Sequence, residues 1–314
     1  MTDRRLLERF LLIALLLAAP AAHAQLFRAY LSPTGNDANP CTLQQPCRLL
    51  PAALNAVASG GEIWITGSAN YNTGTVNVAK SVSIIAVPGV VGSFVALGGG
   101  PAIRIDTAGH FIALRNVVIT QLAGGAGTNG VELAASATLH IDRSIMANLP
   151  ANGLIASNGG SVAIYNSIIR NNGSWGVSVG DGGFVTVSTS QLMGNALGGV
   201  TTRATVASGS LGARAMVTDS LISGGEDGAY AFSSGDGQSR VVVTRSTIDR
   251  TSTAVTGEST GSGVAHVVLS RSMIVNNGTA WKIEGANGFV RTNSNNHITN
   301  NGAGIGVLTA FAPL

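Results

Sequence analysis

Asp181 stands in the turn Gly180-Asp-Gly-Gly183, with Trp175 shortly before it and Arg203 after it. A carboxylate, a guanidinium and an indole along one groove can hold an acidic sugar: the guanidinium pairs with its acid and the indole covers an apolar ring face. The same residues have a plainer reading, since Asp between glycines is ordinary turn chemistry and Arg203 can simply neutralise it. Asp142 and Tyr165, with Arg170 close by in sequence, form a second candidate set suited to a small polar and aromatic contact patch, or to a solvated face. Other chemistry is poorly supplied. His110, His140, His266 and His297 fall at four different places in the pattern described below, which argues for solvated surface histidines and against a metal site. Glu226 with Asp227, and Asp236 in Gly-Asp-Gly, read as turn residues, because calcium needs six to eight converging oxygens and no acidic repeat supplies them. Neither a Ser-His-Asp arrangement nor a phosphate-binding glycine loop ahead of a helix can be assembled.

What positions these residues is a repeat. From residue 111 onward the chain reiterates apolar, x, x, small, x, apolar, then often Asn, then Gly followed by an apolar residue. Val117, Ser144, Ser167, Ser190, Ser220, Ser246, Ser272 and Asn296 serve as equivalent anchors and mark eight coils. Within each, short alternating apolar runs are interrupted by Gly, Ser, Asn or Asp, which predicts two or three short strands per coil and no helices. One coil alone exposes an apolar face and unpaired backbone groups, and stacking the next coil on it satisfies both. Stacking at about 4.8 Å with parallel strands places equivalent side chains in columns. An amide ladder is expected from Asn148, Asn171 and Asn172, Asn195, Asn276 and Asn277, and Asn300 and Asn301. Just before the anchors, Asp219 should sit beside Arg245, and Arg245 beside Arg271, giving a surface ion pair and no catalytic one.

Composition agrees with a folded β-rich body. The 314 residues are 45% hydrophobic and only 11% charged, with 42 glycines, and the net charge of +3 lacks any polybasic run. No nucleic-acid or membrane-surface partner is implied. Residues 1–24 read as a secretory leader: Arg4, Arg5 and Arg9 precede the apolar run 10–19, and Ala22-His23-Ala24 supplies small residues for cleavage before Gln25. That run is too short to span a bilayer, and no lipid-bearing Cys follows it, so no membrane anchor is expected. Secreted or periplasmic is the predicted destination, as a monomer. Cys41 and Cys47 are the chain's two cysteines, and an oxidising compartment lets them pair. Closing so small a loop is worth about 2 to 2.5 kcal/mol.

The coil pattern, together with Tyr30-Leu-Ser-Pro-Thr-Gly-Asn-Asp-Ala-Asn-Pro-Cys41 and Pro46-Cys47-Arg48, resembles the secreted right-handed parallel β-helix proteins of the pectin-lyase-like superfamily. The resemblance covers nearly the whole chain after residue 24. It implies an all-β solenoid of about ten coils with a short helix over its N-terminal end, for which Leu49, Leu50, Ala53, Leu54 and Val57 provide the apolar face. On this reading residues 25–60 form the N-terminal extension and cap, 61–301 the coils and 302–314 the closing segment. Members that cleave acidic polysaccharides use an Arg or Lys base and calcium-holding acids on the strand after the Gly, and others hydrolyse sugars with clustered Asp. Here the outward positions of that strand read Glu132, Ile155, Ser178, Thr201, Ala231, Thr256 and Lys282, which reproduces neither pattern whole.

Three functions follow as expectations. The first is an exported β-helix that binds a polysaccharide or another cell-surface polymer along its side without cleaving it. The second is a polysaccharide lyase or hydrolase, with calcium as a cofactor only if it is a lyase and no cofactor otherwise. The third is a structural or adhesive envelope protein. Ice binding would need a flat column of Thr that the outward set lacks. The excursion between Thr202 and Arg214 makes the longest coil and is the loop best placed to overhang a site.

Overall fold

A computed structural model of the protein describes residues 25–205 and 212–310. The leader reading of residues 1–24, the middle of the excursion at 206–211 and the last part of the closing segment at 311–314 lie outside the described residues.

One coil shows how the sequence builds the rest. Thr138–Asp142 alternates buried and part-exposed positions, as a strand with one face on a core must. Arg143 then takes a left-handed φ of 48°, Ile145–Ala147 forms a second short strand, and Leu154–Ala156 a third. The chain next returns as Ser161–Tyr165, which pairs in parallel with Thr138–Asp142. Repetition of this path yields three parallel sheets of twelve, ten and nine strands among the described residues, matching the expected solenoid of about ten coils. The inside is filled by columns such as Val131, Leu154, Val177, Val200, Ala229 and Val255, in register on successive coils and all buried.

The expected anchors fall on one line. The backbone N–H of each anchor donates to the side chain of the next: Val117 to Ser144, Ser144 to Ser167, Ser167 to Ser190, Ser190 to Ser220, Ser220 to Ser246, Ser246 to Ser272 and Ser272 to Asn296, at 2.8 to 3.3 Å. Small hydroxyls are required there because the turn is tight and its N–H would otherwise be buried unpaired. The asparagine ladder is also present, but it splits the two Asn positions between different tasks. Asn148, Asn171, Asn276 and Asn300 adopt left-handed φ of 54° to 58°, a conformation Asn tolerates. Their neighbours form the ladder: Asn172 donates to Asn195 at 2.8 Å, and Asn277 donates to Asn301 at 2.8 Å.

The cap is a seven-residue helix, Leu50–Ala56, with Pro51 in its first turn and Leu50, Ala53 and Leu54 buried. Cys41 and Cys47 are joined by a disulfide beside it. In the described part of the closing segment, Thr309–Ala310 pairs with Gly288–Thr292 at the far end of the twelve-stranded sheet.

Candidate functional site: the outer face of the nine-stranded sheet

The six sequence candidates are distributed over all three sheets. Asp142 and Tyr165 are in register on neighbouring strands of the twelve-stranded sheet. Asp142 is occupied by Arg115 at 3.4 Å, Arg143 at 3.2 Å and the Asn166 amide at 3.2 Å, while Tyr165 meets the edge of His140. Arg170 ends a strand of the ten-stranded sheet. Trp175 and Arg203 lie on the nine-stranded sheet, and Asp181 follows in the adjoining turn. The Asp181 carboxylate accepts the Thr205 backbone N–H at 2.9 Å and its hydroxyl at 2.5 Å, so it fastens one turn to the next coil. Arg203 turns instead to aromatics, its guanidinium 4.7 Å above the Phe232 ring and 5.9 Å from that of Tyr230.

Around Arg203 and Trp175 the sheet assembles a larger constellation. Thr201, Tyr230, Thr256 and Lys282 occupy one register row, and Arg203, Phe232, Glu258 and Glu284 the next outward row. Trp175 is buried and stacks on Tyr230 with the ring planes 11° apart and centroids 5.7 Å apart. Tyr230 in turn lies 6.1 Å from Phe232, which extends the aromatic ledge along the coil. The Tyr230 hydroxyl donates to Glu258 at 2.5 Å, and the Thr256 hydroxyl donates to Asp227. Lys282 pairs with Glu284 at 2.9 Å.

Electrostatics separates these groups. Burial pushes the Asp227 carboxyl up to about 6; the Thr256 hydroxyl and Lys282 oppose the rise, and Glu226 and Glu284 add to it. Asp227 therefore carries a proton in mildly acidic solution. Burial first, and its bond to Glu258 second, also push the Tyr230 phenol upward, so it acts as a hydrogen-bond donor. The Glu284 partner raises Lys282, which keeps that amine charged. Among the described residues no group of three or more His, Cys, Asp or Glu converges as a metal would need.

Tyr230 corrects the expected outward set. Ala231 was placed in that row, but Ala231 is fully buried and Tyr230 is the residue in register with Thr201 and Thr256. The stretch from Ser220 to Gly228 is one residue shorter than that from Ser190 to Gly199, which moves every later side chain of the strand to the opposite face of a uniform count. Counting from the glycine, with the tyrosine two positions beyond it, would have found the residue. Asp227 and Glu226, read as turn residues, stand at the edge of this constellation. His266 also departs from a solvated histidine: it is part-buried on the twelve-stranded sheet, with Nε2 lacking any hydrogen-bond partner.

Comparison with known proteins agrees with this architecture. Residues 101–264 match the family described as right handed beta helix region. The solved pectate lyase Pel9A superposes with a TM-score of 0.67 at 16% identity, over 93% of this chain and 80% of that one. Polygalacturonase from Erwinia carotovora ssp. carotovora gives 0.64 at 12% identity, over 94% and 100%. For alginate lyase from Paenibacillus sp. str. FPU-7 the values are 0.54 and 13%, over 91% and 99%. At such identities the likeness is one of fold. No curated protein matches the chain in sequence. With its coils, ladders and matched region agreeing, the chain belongs to the right-handed β-helix family.

Proposed function

We propose that this is an exported protein that binds a polysaccharide or another extracellular glycan along the outer face of the nine-stranded sheet, without cleaving it. The observation that carries the reading is the ledge of Trp175, Tyr230 and Phe232, topped by Arg203 and bordered by Asp227, Glu258 and Glu284. Sugars are held by contact of their C–H faces with aromatic rings and by hydrogen bonds from their hydroxyls to fixed acceptors, and this face offers the part-exposed Tyr230 and Phe232, backed by the buried Trp175, beside such acceptors. Its charge selects among glycans. Four carboxylates, Glu226, Asp227, Glu258 and Glu284, stand with two cations, Arg203 and Lys282, so an uncharged polymer suits it better than a polyuronate. The names of the fold relatives, pectate lyase, polygalacturonase and alginate lyase, support a glycan partner in general. The disulfide between Cys41 and Cys47 supports export into an oxidising compartment.

A second reading has one specific observation in its favour. Asp227, with its pKa raised to about 6, could serve as a proton donor, and Glu258 stands on the same sheet as a second carboxylate. Affinity electrophoresis through gels containing xylan, galactan, β-glucan, polygalacturonate or alginate tests binding, with reducing ends and unsaturated products assayed in parallel. Retardation by a neutral polymer without new ends supports binding; release of reducing ends supports hydrolysis. Free migration through every gel overturns the glycan reading.

A further inference from the structure

On the twelve-stranded sheet, Arg214 and Arg240 are in register on adjacent coils, and His266 follows in the same column. With Gln238 and Ser239 they line a pocket of about 250 Å³. Adjacent strands of a parallel sheet lie about 4.8 Å apart, so the two exposed arginine side chains start side by side, and an anion between their guanidiniums would offset the repulsion that solvent only screens. Several cations of this chain pair with acids: Arg28 with Glu62, Arg104 with Glu132, Arg115 and Arg143 with Asp142, Arg245 with Asp219, Arg250 with Asp249 and Lys282 with Glu284. Neither Arg214 nor Arg240 has a carboxylate in ion-pair range among the described residues. Next to them, His266 Nε2 is shut off from solvent with no hydrogen-bond partner, a state that costs free energy. The Phe289 ring closes the other side of the imidazole at 5.1 Å.

We propose that Arg214, Arg240 and His266 form a binding site for one oxyanion, a carboxylate, sulfate or phosphate group, on a sheet distinct from the glycan-binding face. The guanidiniums supply charge and forked donors, and a turn of the His266 ring that brings Nε2–H to the bound anion gives that buried nitrogen the partner it lacks. This site does not depend on the function proposed above. Burial, then Arg291 on the following strand and Arg240 on the preceding one, hold free His266 down to about 4. An anion reverses that field, so binding takes up a proton and affinity rises as pH falls toward that value.

The test is titration of the exported chain with sodium sulfate and, separately, with galacturonate, following the imidazole resonances of His266 by NMR. Saturable movement in the millimolar range, weakened at least about tenfold in Arg214→Gln/Arg240→Gln, is expected. Tyr230→Ala should leave it unchanged. Tighter binding of sulfate marks a site for a free inorganic ion, and tighter binding of galacturonate marks one for an acidic sugar. Thermal melts give a second readout: sulfate should raise the wild-type melting temperature and leave that of the double variant unmoved. A shift that fails to saturate with both probes, or one equal in the double variant, overturns the site.

Discussion

Trp175 and Tyr230 lie two coils apart, yet their rings stack 5.7 Å apart because the residue in register with Trp175 on the intervening coil is Gly198. A side chain at 198 would collide with the Asp227 carbonyl oxygen and would sit 2.7 Å from the Trp175 ring, and its φ of +142° also favours glycine. The indole uses that gap to run along the solenoid axis and meet the phenol beyond. Gly198→Ala should therefore cost about 2 to 4 kcal/mol and displace the indole. Urea unfolding measures the first effect and near-ultraviolet circular dichroism the second. An unaltered aromatic spectrum would show that Gly198 does not set the ledge.

The two asparagine columns should respond differently to mutation. Asn172 accepts the buried Leu149 N–H at 3.1 Å and donates to Asn195, so Asn172→Ala strands buried polar groups and should cost about 2 to 4 kcal/mol. Asn171 serves through its backbone, with φ 54°. Asn171→Ala should cost about 1 to 2 kcal/mol, and Asn171→Gly should recover most of it. Equal losses for the two alanine variants in urea unfolding would contradict this division.

Asp227 gives stability a pH dependence opposite in sign to that of a salt-bridged acid. Its folded pKa of about 6 lies above the ordinary 3.8, so between those values the folded chain binds more protons than the unfolded one. Its contribution is fully present below 3.8 and is lost as the pH rises through 6, a change on the order of 3 kcal/mol. Asp227→Asn keeps an acceptor for Thr256 and should flatten that slope, raising stability most near neutrality. Melting temperatures from pH 4 to 8 check the result; parallel curves for wild type and variant would exclude Asp227 as its source.

Replacing Cys41 and Cys47 by Ala should lower stability by about 2 kcal/mol while leaving the far-ultraviolet spectrum of the coils unchanged, because the bridge closes a short loop at the N-terminal end of the stack, next to the first strand. A cooperative loss of strand signal at ambient temperature would mean that the N-terminal cap nucleates the entire solenoid.

The solenoid was legible because its register is written by small residues. The Ser144 to Ser272 line and the Asp219–Arg245 pair, observed at 2.8 Å, both follow from counting along the chain. The site was less so. Trp175 and Arg203 were recognisable as chemistry, but their partner Tyr230 was hidden by a turn one residue short, which exchanges inside for outside in a strand. Asp181 looked like Arg203's counterion because both lie near the same strand end. The coil in fact gives that carboxylate to Thr205, a contact set by turn geometry that residue types alone do not reveal. His266 depends on Arg240, Arg291 and Phe289 from neighbouring coils, so its burial could not be read from its own segment.

Whether the nine-stranded sheet is the glycan-binding face is tested most directly by affinity electrophoresis of wild type and Tyr230→Ala in gels of the neutral polymer that retards the protein most. Tyr230 touches Trp175, Phe232, Arg203 and Glu258. Its truncation should weaken retention about tenfold or more, while an exposed change on another sheet, Arg170→Ala, leaves retention intact. Undiminished retention of a folded Tyr230→Ala variant would place the glycan elsewhere and contradict the account.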